Sequence, residues 1–196
     1  RFNFDPRSDE ATTLSEIEVE VENVVASATI ENDLDLNRIA ELFDNIEYNP
    51  EQFPGLIYRL QDPKTATLVF SSGKMVCTGS LSPSEAKKAI NKIVEDFREQ
   101  NIEITGEPKI EIQNVVASSD LGSKLNLDEI AMALPQCEYE PEQFPGLVYR
   151  VKEPRVVILL FTSGKIVCTG AKNEKDIHGG IEKIMEKLDK YDLLGV

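Results

Sequence analysis

The ten residues PEQFPGLIYR, at positions 50–59, return as PEQFPGLVYR at positions 141–150, with one difference in ten. The similarity extends outward from this stretch. With a shift of 91 residues, segment 17–98 matches segment 108–189 without a gap and is identical at 35 of 82 positions. Solenoids stack three or more repeats, so two long copies predict a duplicated half-domain with pseudo-twofold symmetry instead.

The duplication sets the expected domain boundaries. Residues 1–16 have no hydrophobic periodicity and are expected to form a flexible acidic tail, followed by a first repeat over 17–107 and a second over 108–196. No apolar run approaches the ~20 residues that a membrane-spanning helix needs.

Three cysteines, an odd number without close spacing, favour a cytoplasmic protein and argue against a zinc site. Cys77 and Cys168 occupy matching positions in the two repeats, which is typical of small buried residues. A disulfide that involves Cys137 is left open.

Each repeat shows the same order of periodicities. Apolar and polar residues alternate in IEVEVENVVAS (17–27), as in a strand, and helical spacing follows in LDLNRIAEL (34–42). Three short strand-like runs come next, and a longer amphipathic helix, opened by the capping pattern SPSE (82–85), ends the repeat. Both helices must cover the same face of the sheet to bury their apolar stripes. We therefore predict an α+β fold in which duplicated half-domains form one long antiparallel sheet with one bare face.

The bare face has an unusual composition. Strand side chains alternate, so one set in each repeat can be assigned to it. The sets are Asn23, Val25, Leu68, Phe70, Val76 and Thr78, and then Asn114, Val116, Leu159, Phe161, Val167 and Thr169. Any one of these residues could belong to the core, but the helices supply apolar surface for one face only. A large exposed apolar face generally marks an interaction site.

The charge is unevenly distributed. The chain has a net charge of −14, yet residues 53–80 carry +2 and residues 144–172 carry +4, which leaves −20 on the rest. A basic footprint within an acidic body is compatible with a polyanion partner. Apolar contacts, few hydrogen-bonding groups and aromatic wedges suit a widened DNA minor groove, whereas a major-groove reader needs several long polar side chains.

At these residues the chain resembles the TATA-box-binding protein family of transcription initiation. The matching motifs include QNVVAS (113–118), YEPEQFPGLVYR (139–150) and SGK-x-VCTG (72–79), and the resemblance covers nearly everything from Ile17 to Tyr191. It implies that the sheet is curved into a saddle, with helices on the convex face and DNA on the other. The symmetry between the two repeats and the acidic balance resemble those of archaeal members. The expected function is that of a general transcription factor that binds and bends the minor groove of AT-rich TATA elements.

The resemblance implies a role for each residue of the face. Four aromatic rings would enter base steps: Phe53, Phe70, Phe144 and Phe161. Base contacts would come from Asn23, Asn114, Thr78 and Thr169, over an apolar floor of Val25, Val76, Val116, Val167, Leu68 and Leu159. Phosphates would be met by Arg59, Arg150, Lys74, Lys165, Ser72 and Ser163.

The resemblance also implies partners and no cofactor. In the family the second Phe loop docks a B-type initiation factor, and RNA polymerase is then recruited. This implies that Glu140, Glu142 and Gln143 contact the factor. Pro54 and Pro145 follow the two loop phenylalanines, so the DNA face is nearly palindromic and is expected to discriminate poorly between orientations. The expected location is the cytoplasm, in association with the nucleoid, or the nucleus in a eukaryote.

The sequence also bears on two other classes of function. An enzyme is not expected, because the single histidine, His178, lies beside two glycines and no nucleophile with a base or phosphate-binding loop is evident. A protein-interaction module that uses the same face stays open. It predicts binding to protein without DNA binding at any salt concentration.

Overall fold

The computed structural model describes residues 17–194, so the expected tail over 1–16 lies outside the described residues. The chain forms two compact units, Val21–Val115 and the residues from Val116 onward together with 17–20. The repeat boundary between residues 107 and 108 stays a prediction.

The first copy follows the predicted order of elements, with one addition. Its elements are β1 (Glu20–Thr29), α1 (Leu36–Leu42), β2 (Ile46–Glu47), β3 (Leu56–Gln61), β4 (Lys64–Val69), β5 (Lys74–Ser80) and α2 (Pro83–Glu99). The two-residue strand β2 was not predicted, because two residues are too short to show a periodicity.

The second copy repeats this order. Its elements are β6 (Lys109–Asp120), α3 (Leu127–Ala133), β7 (Leu147–Val151), β8 (Val156–Leu160), β9 (Lys165–Ala171) and α4 (Glu174–Lys190). In place of β2, an isolated antiparallel bridge joins Glu138 to Val148. The strands are hydrogen-bonded in the order β2-β3-β4-β5-β1-β6-β9-β8-β7.

Side-chain caps begin the helices where the sequence predicted them. The Glu85 N–H donates to Ser82 Oγ at 3.0 Å at the start of α2, and the Glu129 N–H donates to Asn126 Oδ1 at 3.3 Å at the start of α3. These bonds satisfy backbone donors that a helix leaves without an internal partner. In a standard capping box the glutamate would accept from the N–H of the N-cap residue, Ser82. Here Glu85 Oε2 accepts instead from the N–H of the preceding residue, Leu81, at 2.8 Å.

The long helices cover one face of the strands in each unit. In α2 the predicted stripe is buried, and so is its counterpart in α4: Ala86, Ile90, Ile93 and Phe97, then Ile177, Ile181, Ile184 and Leu188. Helix α2 packs on β4 and β5, and α4 packs on β7, β8 and β9. The buried sides of these strands complete the core, while their other sides are available for a site.

Candidate nucleic-acid interface

Burial alternates along the strands as predicted, and it separates the core from an uncovered face. In β5, Met75 and Cys77 are fully buried, whereas Val76 and Thr78 between and beyond them are half-buried. Leu68 of β4 lies opposite Val76, on the same side. The open face of the first unit, defined by Asn23, Val25, Leu68, Phe70, Val76 and Thr78, is half-buried throughout.

The second copy presents the same kind of face. Leu159 of β8 lies opposite Val167 of β9, and both are half-buried beside fully buried Ile158 and Ile166. The other predicted members, Val116, Phe161, Thr169 and Asn114, are also half-buried. The structure thus places every residue of the two predicted sets on the side of its strand that the core does not use.

A pair of phenylalanine rings stands at the end of each face. The centroids of Phe53 and Phe70 are 5.8 Å apart with an interplanar angle of 68°, and those of Phe144 and Phe161 are 6.0 Å apart with an angle of 73°. The loop rings are 40% and 41% exposed, unusual for phenylalanine. Each loop turns identically, since the Phe53 N–H donates to Asn49 O at 3.0 Å and the Phe144 N–H donates to Glu140 O at 3.0 Å.

Two glycines that were not predicted to matter leave room for the rings of these pairs to pack against the backbone. A Cβ on Gly55 would lie 3.0 Å from both Phe53 Cε1 and Phe70 Cε1. A Cβ on Gly146 would lie 2.7 Å from Phe144 Cε1 and 3.0 Å from Phe161 Cε1. Only glycine lets the backbone approach the rings this closely. The signal was present in the sequence as the FPG triplet of both loops.

Asn23 has a fixed amide orientation. Its Oδ1 accepts from the Gly79 N–H at 2.8 Å, and its Nδ2 donates to Thr78 Oγ1 at 3.2 Å. Because a backbone N–H can bond only to the oxygen of the amide, the NH₂ group must point the other way. The side chain therefore presents a hydrogen-bond donor beside the hydroxyl of Thr78.

The two predicted phosphate-binding arginines are already paired with carboxylates. Arg59 Nε lies 3.2 Å from Glu47 Oε1, and Arg150 Nε lies 3.5 Å from Glu138 Oε1. All four side chains are more than half exposed, so these ion pairs are weak and easily exchanged. The glutamates were missed, although the dipeptide Glu-Tyr precedes the loop in both copies.

The remaining predicted phosphate contacts lie in or next to exposed turns. Ser72 is exposed in the β4–β5 turn and Lys74 is exposed at the start of β5; Ser163 and Lys165 occupy the same positions in the β8–β9 turn and at the start of β9. The Phe70 N–H donates to Lys74 O at 2.9 Å, so each turn connects a basic residue to a face-end ring. The proposed partner contacts Glu140, Glu142 and Gln143 are all exposed in the second loop.

The thiols take no part in this face. All three cysteines are free, and Cys77 and Cys168 are fully buried as predicted. Burial, with the charge of Asp176 as the lesser cause, raises the pKa of the Cys168 thiol to about 12. Within residues 17–194 there is no cluster of three or more His, Cys, Asp and Glu side chains suited to a metal ion. The same residues include no helix of the length and apolarity needed to cross a membrane.

The duplicated fold, with its half-buried faces that the helices leave uncovered, is that of a family of DNA-binding transcription factors, as comparison with known proteins shows. The family described as transcription factor TFIID (or TATA-binding protein, TBP) matches residues 18–100 and 109–191. The chain belongs to this family.

Its relatives include archaeal proteins of similar length. The chain is 51% identical over 181 residues to the TATA-box-binding protein of Thermococcus kodakarensis, covering 92% of this chain and 95% of that one. It is 55% identical over 178 residues to that of Thermoplasma volcanium, covering 90% and 97%. Among solved structures it is similar to Methanococcus jannaschii TBP, with a TM-score of 0.80, 48% identity and coverage of 88% and 99%. The expectations of a duplicated α+β fold and of an archaeal-type general transcription factor, not an enzyme, are confirmed.

Proposed function

We propose that this chain binds TATA elements through the DNA minor groove, bends the duplex, and recruits a B-type initiation factor and RNA polymerase. The observation that carries the proposal is the pair of partly exposed phenylalanine rings at the end of each uncovered apolar face. Aromatic wedges of this kind unstack a base step at a cost of a few kcal/mol, and the contact area that the bend opens offsets that cost.

The apolar floor supports a preference for A·T pairs. In the minor groove, A·T and T·A present only acceptors, whereas G·C adds the N2 amino group as a donor. A guanine amino group buried against Val25, Val76 or Leu68 would lose its water without gaining an acceptor, which is unfavourable. The corresponding floor in the second copy is formed by Val116, Val167 and Leu159.

The polar groups of the face complement the same acceptors. The amide NH₂ of Asn23, fixed by its bond to Gly79, can donate to adenine N3 or thymine O2. Thr78 lies beside it, and Asn114 and Thr169 take these positions in the second copy. Around the face, the exposed turns and arginines provide phosphate contacts: Arg59, Arg150, Lys74, Lys165, Ser72 and Ser163.

The second Phe loop is proposed as the docking site for the B-type factor. Glu140 replaces the neutral Asn49 of the first loop, so the second loop carries an additional carboxylate beside Glu142 and Gln143. A basic surface on the factor would distinguish the two loops by this charge. Since both DNA faces are nearly identical, the factor would then set the direction of transcription. We place this activity in the cytoplasm, on the nucleoid.

The decisive experiment compares Phe144→Ala with the wild-type chain on a short AT-rich duplex labelled at both ends. We expect weaker binding in a gel-shift assay and a smaller bend by fluorescence transfer. Met132→Ala removes an exposed apolar side chain outside the face and is the matched control. An unchanged bend would show that the ring is no wedge. Absence of DNA binding by the wild type at any salt, with protein binding retained, would favour the interaction module.

Recruitment is tested separately. Glu142→Arg should leave DNA affinity nearly unchanged and impair formation of the complex with the B-type factor. Glu51→Arg, at the same position in the first loop, should impair it much less. Equal losses in the two variants would remove the assignment to the second loop.

A further inference from the structure

A groove on the second unit shares Arg150 with the rim of the face described above and extends from there toward helix α4. It has a volume of about 820 Å³ and lies between the outer strand β7 and helix α4, with Gln136 at one side. Five cationic side chains line it: Arg150, Lys152, Lys183, Lys187 and Lys190. Two carboxylates, Glu153 and Glu186, also line it, so its net charge is +3.

The first copy has the opposite charge at the same positions. With the 91-residue shift, Lys187 and Lys190 correspond to Asp96 and Glu99, and Lys152 corresponds to Gln61. The seven corresponding residues of the first copy include two cations and four carboxylates, a net charge of −2. A difference of five charges at matching positions, in a chain with near-identical Phe loops, distinguishes the two surfaces.

The groove at this place in the first copy is smaller, about 320 Å³, and is lined by residues 44–47 and 59–61 of the sheet edge. Phe43, Tyr58 and Phe97 pack against one another with centroids 5.4 to 5.8 Å apart, and Tyr58 Oη donates to Asp96 Oδ2 at 2.8 Å. In the second copy, Leu134 and Leu188 replace the two phenylalanines, and Lys187 stands in place of the acceptor Asp96. The groove of the second copy, at about 820 Å³, is the larger of the two.

The edge of the sheet differs in the same way. In the first copy β2 pairs with β3, and Asn45 closes the edge at Arg59: its carbonyl accepts the Arg59 N–H at 3.1 Å and its Nδ2 donates to Arg59 O at 2.8 Å. In the second copy, among residues 17–194, the outer edge of β7 is paired through a single bridge, between Glu138 and Val148. Backbone groups at an open strand edge are a template for a further strand.

We propose that this groove, the β7–α4 groove, binds an extended acidic peptide of a partner protein, which adds as a strand along β7 with its carboxylates toward the lysines of α4. Strand addition supplies main-chain hydrogen bonds, and the charges of the groove select the sequence. The first copy does not offer this site, because its edge is paired and its charge is negative.

The probe is a fluorescein-labelled peptide of four Glu-Val repeats, with a peptide of four Lys-Val repeats as its charge-reversed control. Anisotropy with the full-length chain should show binding of the Glu-Val peptide alone, and binding should weaken as salt screens the charges. Equal binding of both peptides, or displacement by equimolar inorganic phosphate, would overturn the proposal.

The site is tested by giving the second copy the residues of the first. Lys187→Asp with Lys190→Glu should reduce peptide affinity at least tenfold. Lys87→Asp with Lys88→Glu, on exposed positions of α2, makes the same change of charge and should have little effect. Both double variants should change DNA affinity equally. Because Lys187 is half-buried, Lys183→Glu at an exposed position of α4 provides a second test if the first variant unfolds. Undiminished binding by the folded α4 variants contradicts the assignment.

Strand addition has a separate readout. N-methylation of alternate residues of the peptide should abolish binding in one phase, where the N–H groups face β7, and preserve it in the other. An equal effect in both phases would show that the peptide does not pair with the strand.

Discussion

Asn23 Nδ2 donates to Thr78 Oγ1 across 3.2 Å, while Asn23 Oδ1 accepts the N–H of Gly79. The backbone of β5 thus decides which end of this amide is available to a ligand. Because the NH₂ group is already oriented, DNA binding does not have to fix it at an entropic cost. Such a donor favours A·T pairs, whose minor-groove edges offer only acceptors.

Asn23→Asp tests this fixed donor. The aspartate keeps an acceptor for Gly79 but removes the NH₂ group and adds a negative charge, so we expect at least a tenfold loss of TATA affinity. Asn91→Asp, at an exposed position of α2, adds the same charge away from the face. Gel shift with an AT-rich duplex gives the comparison, and similar losses in both variants would argue that charge alone is responsible.

Gly146→Ala should separate the rings of Phe144 and Phe161. The added Cβ would lie 2.7 Å from Phe144 Cε1, closer than van der Waals contact allows, so the ring or the loop must move. We expect a smaller DNA bend by fluorescence transfer and weaker binding, with little change in the thermal unfolding midpoint because the loop is exposed. A normal bend would show that the wedge tolerates displacement.

Replacing the glutamates that hold the arginines should strengthen DNA binding. Glu138→Gln releases Arg150 and removes a negative charge beside it, and Glu47→Gln does the same for Arg59. Exposed ion pairs are worth about 0 to 1 kcal/mol, so affinity should rise up to about fivefold at low salt. Glu41→Gln on the exposed side of α1 is the control for net charge. Weaker binding of Glu138→Gln would mean that the ion pair positions the arginine.

The buried thiol of Cys168 predicts a loss of stability at high pH. Its pKa is raised from 9.0 to about 12 by burial, so the folded state holds the proton more tightly than the unfolded state. This contribution to stability is fully present below pH 9 and is lost as the pH rises toward 12. The unfolding free energy of Cys168→Ala should therefore fall less steeply over this range than that of wild type. Parallel slopes would show that the thiol is not the titrating group.

The faces could be predicted from the sequence because they rest on short-range physics. Alternation along a strand assigns Val76 and Met75 to opposite sides whatever the rest of the chain does. The same alternation recurs 91 residues later, so both copies independently support the assignment of one side of the strands to an open face. Caps were predictable for the same reason, since Ser82 and Glu85 interact across three residues.

The missed features depend on contacts that a linear pattern does not contain. The requirement for Gly146 follows from two rings that a Cβ at this position would meet, one of them on Phe161 just beyond the end of β8. The pairing of Arg150 with Glu138 joins residues on either side of a loop. The β7–α4 groove depends on several substitutions at scattered positions, such as Leu188 and Lys187, whose common location only the packing of α4 reveals.

Asp96 and Lys187 occupy the same position in the two repeats. In the first copy Asp96 accepts a hydrogen bond from Tyr58, whereas in the second copy Lys187 lies in the β7–α4 groove. The two copies carry identical residues at the open faces, from Asn23 and Asn114 to Thr78 and Thr169, whereas their long helices differ at most positions. Duplication has thus kept two matching faces while giving the two helix surfaces net charges of opposite sign, so an acidic partner would be attracted to the second surface alone.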